Sequence, residues 1–275
     1  MDNRSLTLMA VHAHPDDEST STGGVLAHYA ARGFRTVVVT CTNGELGDGP
    51  RGVKPGEAGH DAESVAAVRR IELDRACARL DVSDLQLLGY RDSGMGSGSA
   101  PEAFCGVPVE SVAGRIAEMI HEYRPDVVVT YDPHTSYQHR DHIHTARATV
   151  RATELTGVPK KLYFKAHGAS YWALLHKALA EAGIQRPEPG AALRQAMAAV
   201  ERRITTSVDV AHVIDRKRAG LLAHESQRAS SLAARLSAAQ FLQVFGTETF
   251  IRAHATSTSP IPETDLFAGI GADPT

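Results

Sequence analysis

The residues with the clearest chemical potential form a short acidic motif near the amino terminus. His14 is followed by Pro15, Asp16, Asp17 and Glu18, which places one imidazole and three carboxylates within five residues. The carboxylates repel one another unless a positive group joins them, and histidine nitrogen and aspartate oxygen both suit zinc. The motif therefore predicts a divalent-metal site, with a solvated turn that caps a helix as the alternative.

Residues 134–144 form a second histidine-rich segment, which contains four of the fourteen histidines of the chain. His139 and His142 are three residues apart, so both can face the same side of a turn that enters a helix. If the fold brings the two segments together, His14, Asp17 and one later histidine form a three-ligand set that leaves a coordination position for water. Non-haem iron oxygenases use the same ligand types, so the residues alone leave zinc and iron(II) open.

The neighbouring side chains have the chemistry that a hydrolase needs beside a metal. Asp16 is adjacent to Asp17 in a turn, so one carboxylate can bind the metal while the other faces the attacking water as a base. Amide hydrolysis also needs a donor for the developing oxyanion and the leaving amine. His139, charged and held by Asp141, is our candidate for that donor.

Strands and helices alternate along the first part of the chain and would position these residues. Apolar, β-branched runs predict strands at residues 6–11, 36–41, 85–88, 126–131 and 161–164, and helices are predicted at residues 20–32, 62–80, 109–123 and 141–155. This alternation predicts an α/β fold with a mostly parallel sheet flanked by helices. In such a sheet the post-strand loops share one edge, so both histidine-containing segments should meet there.

The pattern is less regular after residue 165. It predicts helices at residues 172–182, 191–202, 213–224 and 232–244 and a strand at residues 204–210. The segment from residue 256 onward is rich in Ser, Thr, Pro and Gly and is predicted to be loose. We therefore expect a catalytic core over residues 1–165, a carboxyl-terminal part over residues 166–255 that completes the fold and shapes the substrate pocket, and a loose tail over residues 256–275.

Composition excludes several functional classes. The net charge of −3 and the lack of a basic run argue against a nucleic-acid binder. The three scattered cysteines predict reduced thiols, and no apolar run reaches the ~20 residues of a membrane span. We find no signal peptide and expect a cytoplasmic protein, with a homo-oligomer left open. The acidic turn after the first strand lacks GxGxxG and would repel a pyrophosphate, which excludes a dinucleotide site there.

These motifs together resemble the LmbE/PIG-L-like deacetylases. That family includes the N-acetylglucosaminyl-phosphatidylinositol deacetylase and the mycothiol-pathway deacetylase and conjugate amidase. The resemblance covers about residues 6–150, with weaker likeness through residues 217–227. It rests on the motifs at residues 14–18 and 139–142 and on further matches at residues 40–45, Arg69 with Glu72, residues 91–95 and residues 128–132.

The resemblance implies a Rossmann-like fold and a zinc-dependent hydrolase that removes an acyl group from a small-molecule amino sugar. It implies zinc ligation by His14, Asp17 and His142, a general base at Asp16, and His139 as the intermediate-stabilising donor with Asp141 behind it. It further implies a mobile Tyr137 that touches the intermediate, and substrate contacts from Arg69 and Asp92. From the residues alone, Arg69 with Glu72 is also readable as a surface ion pair, Asp92 as a turn former and Tyr137 as a packed loop aromatic.

Two departures from the family pattern bear on the substrate. Arg140 stands where the family often has proline, and its charge would favour an anionic or phosphorylated substrate unless it is simply solvated. Residues 19–22 lack the lysine expected of the conjugate amidase. The leading hypothesis is therefore an N-deacetylase acting on an N-acetylglucosamine-type substrate. The alternatives are an amidase that removes a larger acyl group from a glucosaminyl conjugate and a non-haem iron oxygenase.

Overall fold

The sheet of this protein has seven strands in the residues that the computed structural model describes, which are 5–95, 102–135 and 139–271. The strands are β1 (Thr7–His12), β2 (Arg35–Thr42), β3 (Asp84–Tyr90), β4 (Val127–Tyr131), β5 (Lys161–Lys165), β6 (Thr206–Asp209) and β7 (Thr247–Ala255). Their order is β3-β2-β1-β4-β5-β7-β6. Strands β1 to β5 are parallel, whereas β7 is antiparallel to both β5 and β6. The predicted α/β fold with a mostly parallel sheet is confirmed.

Helices cover both faces of the sheet. They are α1 (Gly23–Ala31), α2 (Ala62–Arg79), α3 (Val109–Tyr123), α4 (Arg140–Thr156), α5 (Ala169–Glu181), α6 (Ala191–Glu201), α7 (Ile214–Ala223) and α8 (Ala238–Phe245). Alternate residues of β1 point to opposite faces. Leu8 and Ala10 pack in a cluster with α1 and α2, whereas Met9 and Val11 pack in a cluster with α3 and α4. Burial on both faces explains why the central strands read as continuous apolar runs.

Strand β7 is the main element that the sequence pattern did not predict. Glu248 and Arg252 interrupt its apolar residues, so the segment lacks the continuous apolar run of the central strands. The fold accommodates both charges, because Lys217 pairs with Glu248 at 2.5 Å and Arg252 with Glu263 at 2.8 Å. The last helix is also shorter than predicted. It begins only after Ser237, whose side chain caps it, and a separate 3₁₀ turn (Ala233–Arg235) precedes it.

The expectation of a loose tail is wrong for residues 263–270. Leu266, Phe267 and Ile270 belong to the core cluster on the α1 side of the sheet. The segment is anchored by Glu263, which is buried and accepts from Lys161 at 2.6 Å. Its polar composition hid the few apolar side chains that hold it. The remaining division of the chain at residue 165 stays a prediction, although β6 and β7 extend the same sheet as β1 to β5.

The three cysteines are unpaired thiols, as predicted. Within the described ranges 5–95, 102–135 and 139–271, no helix has the length and apolar character that crossing a bilayer requires.

Candidate metal centre and active site

The turn after β1 holds the first two predicted metal ligands. The backbone N–H of His14 donates to Asp17 Oδ2 at 2.9 Å, and His14 Nδ1 lies 3.3 Å from the same oxygen. Both residues are buried. Asp16, between them, has a backbone φ of 104°, a conformation that non-glycine residues rarely adopt. Such strain persists only where the surrounding structure enforces it, and it concentrates at functional sites.

The third predicted ligand comes from the start of α4. His142 Nε2 lies 3.3 Å from Asp17 Oδ2, and its ring stacks on Tyr131 at 4.1 Å between centroids. The Tyr131 hydroxyl accepts a hydrogen bond from the backbone N–H of Ala13 at 2.9 Å, which ties β4 to the first turn. The donor atoms of His14, Asp17 and His142 all lie within 4.8 Å of one another. The structure therefore brings the three predicted ligands together.

A second group of donors overlaps the first at His14. Nε2 of His14 lies 3.3 Å from Asp141 Oδ2 and 3.5 Å from Asp92 Oδ1. His139 completes this group, whose donor atoms also lie within 4.8 Å of one another. Although burial alone would lower the pKa of His14, hydrogen bonds with Asp141, Asp17 and Asp92 raise it well above its usual value. The cluster thus carries more negative charge than its histidines neutralise.

This excess of negative charge is the observation that tests whether a metal fits the site. Nitrogen and carboxylate donors within one small volume match a divalent transition metal, and a cation there would neutralise the carboxylates that hold the proton on His14. The residues present therefore fit a metal centre, and His14, Asp17 and His142 are the set that would hold it.

The predicted base Asp16 lies beside this centre and keeps 29% of its side chain exposed. Arg69 Nη2 donates to its carboxylate at 3.1 Å. Burial raises the pKa of Asp16 to about 6 and the nearby charge of Asp17 adds to the rise, while Arg69 opposes it. A carboxylate with a pKa near neutrality is suited to accept a proton at physiological pH.

Arg69 is buried, and its guanidinium contacts the site loops. It donates to the backbone carbonyls of Pro15 and Gly44, the latter at 2.6 Å, as well as to Asp16. Gly44 permits this approach, because a Cβ there would lie 2.4 Å from Arg69 Nη1. We therefore interpret Arg69 as the residue that positions Asp16. Asp92, the other predicted substrate contact, lies against His14; substrate binding by either residue stays a prediction.

His139 differs from the expectation of a charged donor held by Asp141. Its Nδ1 accepts a hydrogen bond from the backbone N–H of Asp141 at 3.1 Å, whereas the Asp141 carboxylate is 4.0 Å from that nitrogen and nearer to His14. Burial and the neighbouring His14 lower the pKa of His139. The ring is thus neutral with its proton on Nε2, which still provides one N–H donor. Tyr137 lies outside the described residues.

Two functional residues were missed by reasoning from the sequence. Glu18 Oε2 accepts from the backbone N–H of Asp16 at 2.9 Å, and Glu18 Oε1 lies 2.8 Å from His224 Nε2. Both Glu18 and His224 are buried. Although burial opposes it, Glu18 raises the pKa of His224, so the two form a charged pair. The weak likeness at residues 217–227 was the signal that could have identified His224.

A cavity of about 270 Å³ lies against the candidate metal ligands Asp17 and His142. One side is formed by Asp17, His139 and His142. The lining also includes Lys165 at the carboxyl end of β5 and Trp172 of α5. The site therefore combines a metal-binding edge, a base and a space for an organic substrate.

Comparisons with known proteins agree with this arrangement. Residues 9–153 match the family described as PIG-L: GlcNAc-PI de-N-acetylase. The chain is 39% identical over 277 aligned positions to a 1D-myo-inositol 2-acetamido-2-deoxy-alpha-D-glucopyranoside deacetylase of Acidothermus cellulolyticus, covering 96% of this chain and 95% of that protein. It is 36% identical to a 1D-myo-inositol 2-acetamido-2-deoxy-alpha-D-glucopyranoside deacetylase 1 of Saccharopolyspora erythraea. That match covers 98% of this chain and 95% of the relative.

The fold also matches a solved structure. The deacetylase of the teicoplanin biosynthesis pathway is 22% identical, with a TM-score of 0.59 over 90% of this chain and 98% of that one. A likeness at this identity supports the fold. The match over more than half of the chain and the near full-length relatives go further, and show that the chain belongs to the PIG-L family of GlcNAc-PI de-N-acetylases.

Proposed function

We propose that this protein is a zinc-dependent hydrolase that removes the N-acetyl group from an N-acetylglucosamine glycoside, with inositol as the first aglycone to test. The observation that carries the proposal is the convergence of His14, Asp17 and His142 next to Asp16, with Asp17 and His142 lining a cavity. The relatives described as inositol-glucosaminide deacetylases align over nearly the whole chain, which supports the substrate class.

Each residue then has a role in the hydrolysis. A bound zinc ion supplies a Lewis acid that polarises the amide carbonyl and lowers the pKa of a water molecule. Asp16 accepts the proton of the attacking water, whose oxygen bonds to the carbonyl carbon. His139 donates a hydrogen bond from Nε2 to the carbonyl oxygen as negative charge develops there. The amide C–N bond breaks, and the amine takes the proton held by Asp16. The amine also takes up the hydroxyl proton of the intermediate, so that acetate and the ammonium form of the amino sugar leave.

The alternatives are less well supported. The relatives are described as deacetylases, which favours loss of acetate over loss of a larger acyl group. An iron oxygenase would not need a base such as Asp16, whose pKa is raised to about 6, next to the metal ligands. We further propose that the protein works in the cytoplasm on a small-molecule substrate, which is consistent with its free thiols.

The test is primary-amine release from N-acylated glucosaminides that differ in acyl group and aglycone, with metal content measured on the same samples. We expect release of acetate and amine that a chelator abolishes and zinc restores. His142→Ala should lose the metal and the activity together, because it removes one of three protein ligands.

His134→Ala is the matched control, since it changes a histidine of the same segment that lies outside both donor groups. Metal-loaded protein that releases no amine from any glucosaminide would contradict the proposed function. Full metal occupancy in His142→Ala would remove that residue from the ligand set.

A further inference from the structure

Three lysines are buried in this fold, and they differ in their partners. Lys161 lies 2.6 Å from Glu263, and Lys217 lies 2.5 Å from Glu248. Lys165 is also buried, with 7% of its surface exposed. Among the described residues, no carboxylate lies within ion-pair distance of its Nζ. A buried cation without a counter-charge is unfavourable, so its presence needs an explanation.

The Lys165 amine makes only weak contacts with the described residues around it. Nζ donates to the carbonyl oxygens of Thr249 and Ala166 at 3.2 and 3.4 Å, and it lies 5.1 Å from the centroid of the Phe250 ring. Burial lowers the pKa of this amine to about 7. Both carbonyl contacts are long for hydrogen bonds from an ammonium group. These contacts hold the amine in place but do not give it a negatively charged partner.

Lys165 faces the active-site cavity. It is the last residue of β5 and is paired in register with Tyr131 of β4, on whose ring the metal-ligand candidate His142 stacks. Adjacent strands are about 4.8 Å apart, so Lys165 is one strand away from the metal-binding edge. Lys165, His142 and Asp17 line the same cavity. A substrate with its acetamide at the metal would extend towards Lys165.

The rest of the wall suits a polar ring that carries a charge. Of the described residues that line the cavity, Lys165 is the only lysine or arginine. Burial, with Lys165 as the next cause, lowers the pKa of His167 well below its usual value, so this ring is neutral. Trp172 donates from its indole N–H to the His167 carbonyl at 3.1 Å, which orients the indole. The hydroxyls of Thr20 and Ser21 provide further hydrogen-bonding groups.

We propose that Lys165 forms a subsite for an oxyanion carried on the aglycone of the substrate, a phosphate or a carboxylate. The inference rests on the proposed function only in taking the acetamide to lie at the metal. A bound oxyanion supplies the counter-charge that the protein provides for Lys161 and Lys217 but not for Lys165. Specificity for charged over neutral glycosides would then come from this one side chain.

The test uses matched N-acetylglucosaminides whose aglycone is neutral, phosphorylated or carboxylated. We expect the wild-type protein to prefer an anionic member in kcat/KM, mainly through KM. Lys165→Met should reduce that preference roughly 10- to 100-fold, the range for losing a hydrogen bond to a charged group. The phosphate and carboxylate members distinguish the two sources of the charge.

Lys177→Met is the matched control, because it removes the same charge from a side chain that is 64% exposed and pairs only with the exposed Glu181 among the described residues. Folding is checked by the melting temperature. Lys165→Met should not lower it, since no buried carboxylate loses its partner, whereas Lys217→Met should lower it.

Calorimetric titration of the same glycosides into metal-loaded Asp16→Asn protein, with and without Lys165→Met, separates this inference from the proposed function. A preference for the anionic member that depends on Lys165 supports the subsite even if no glycoside is hydrolysed. Equal affinities for neutral and anionic members, or a preference that survives Lys165→Met, would overturn it. A change confined to inhibition by free acetate would also overturn it, because Lys165 would then bind the product.

Discussion

The two parts of this chain contribute to the site in different ways. Residues 7–165 supply the candidate metal ligands and the proposed base from two short motifs, the turn after β1 and the start of α4. Residues 166–271 supply one wall of the cavity and the partners that hold the site, and each acts through a contact with a residue distant in sequence. The candidate metal chemistry therefore depends on two local motifs, whereas the cavity wall and the supports of the site depend on tertiary contacts.

The electrostatics of the two parts also differ. The carboxylates of the first part raise the pKa of His14 despite its burial. Lys165, the last residue of the first part, contacts Ala166, Thr249 and Phe250 of the second part. Burial there lowers the pKa of Lys165 to about 7, and no carboxylate among the described residues pairs with it. One side of the cavity therefore needs a cation and the other can accept an anion.

The largest effect should come from the base in the first part. Asp16→Asn removes the proton acceptor but leaves all three candidate ligands, so we expect metal content to remain and kcat to fall by about 10²–10⁴-fold. Amine release and metal analysis on the same sample measure both. Asp74→Asn, on the exposed face of α2, is the control for the same chemical change. Near wild-type turnover in Asp16→Asn would refute the assignment of the base.

The pH profile should report the same group. Asp16 must be unprotonated to accept a proton, and burial raises its pKa to about 6. Activity should therefore be full above this pKa and be lost as the pH falls through it. A bound cation favours the charged carboxylate, so the acid limb of kcat/KM should lie at or below pH 6. A limb that is unchanged in the residual activity of Asp16→Asn would assign the titration to another group.

The sequence was most informative where function depends on local motifs. The turn after β1 and the start of α4 could be placed at one edge because parallel strands bring their carboxyl ends together. His14, Asp17 and His142 therefore met as predicted. Arg69 was recognised as important, but its role depends on the close approach of Gly44 and on Pro15, which no spacing rule reveals.

The second part was harder to predict because its signals are tertiary. Glu248 interrupts the apolar pattern of β7 and is accommodated because Lys217 of α7 pairs with it and the backbone N–H groups of Gly24 and Val25 donate to it. Glu263 likewise anchors the tail through Lys161, a residue 102 positions away. The role of His224 depends on its partner Glu18, which lies 206 positions away in the sequence. Charged residues that are buried in pairs resemble loop residues when each is read alone.

A moderate effect on catalysis should come from His224, a residue of the second part that contacts Glu18 in the first part. His224→Leu leaves the buried Glu18 without its charged partner, and Glu18 positions the backbone of Asp16. We expect kcat to fall roughly tenfold, with metal retained and KM little changed, since a misplaced base weakens catalysis more than binding. His224→Gln, which keeps an N–H donor, should recover part of the loss. Equal effects of the two variants would show that Glu18 needs no donor there.

The smallest effect on catalysis should come from the packed tail. Phe267 is buried, and its ring lies 4.9 Å from that of Tyr29 and 4.8 Å from that of Phe34 between centroids. Phe267→Ala should lower the free energy of unfolding by about 3–5 kcal/mol, because it leaves a cavity among these rings. Its kcat per folded molecule should equal that of the wild type, since this cluster lies on the α1 face and not in the active-site cavity. Ile261→Ala, at a position 54% exposed, is the control and should change neither quantity. Chemical denaturation paired with active-site titration measures both. A reduced kcat in folded Phe267→Ala would mean that the carboxyl-terminal segment also supports the chemistry. The second part would then contribute to catalysis as well as to the cavity wall.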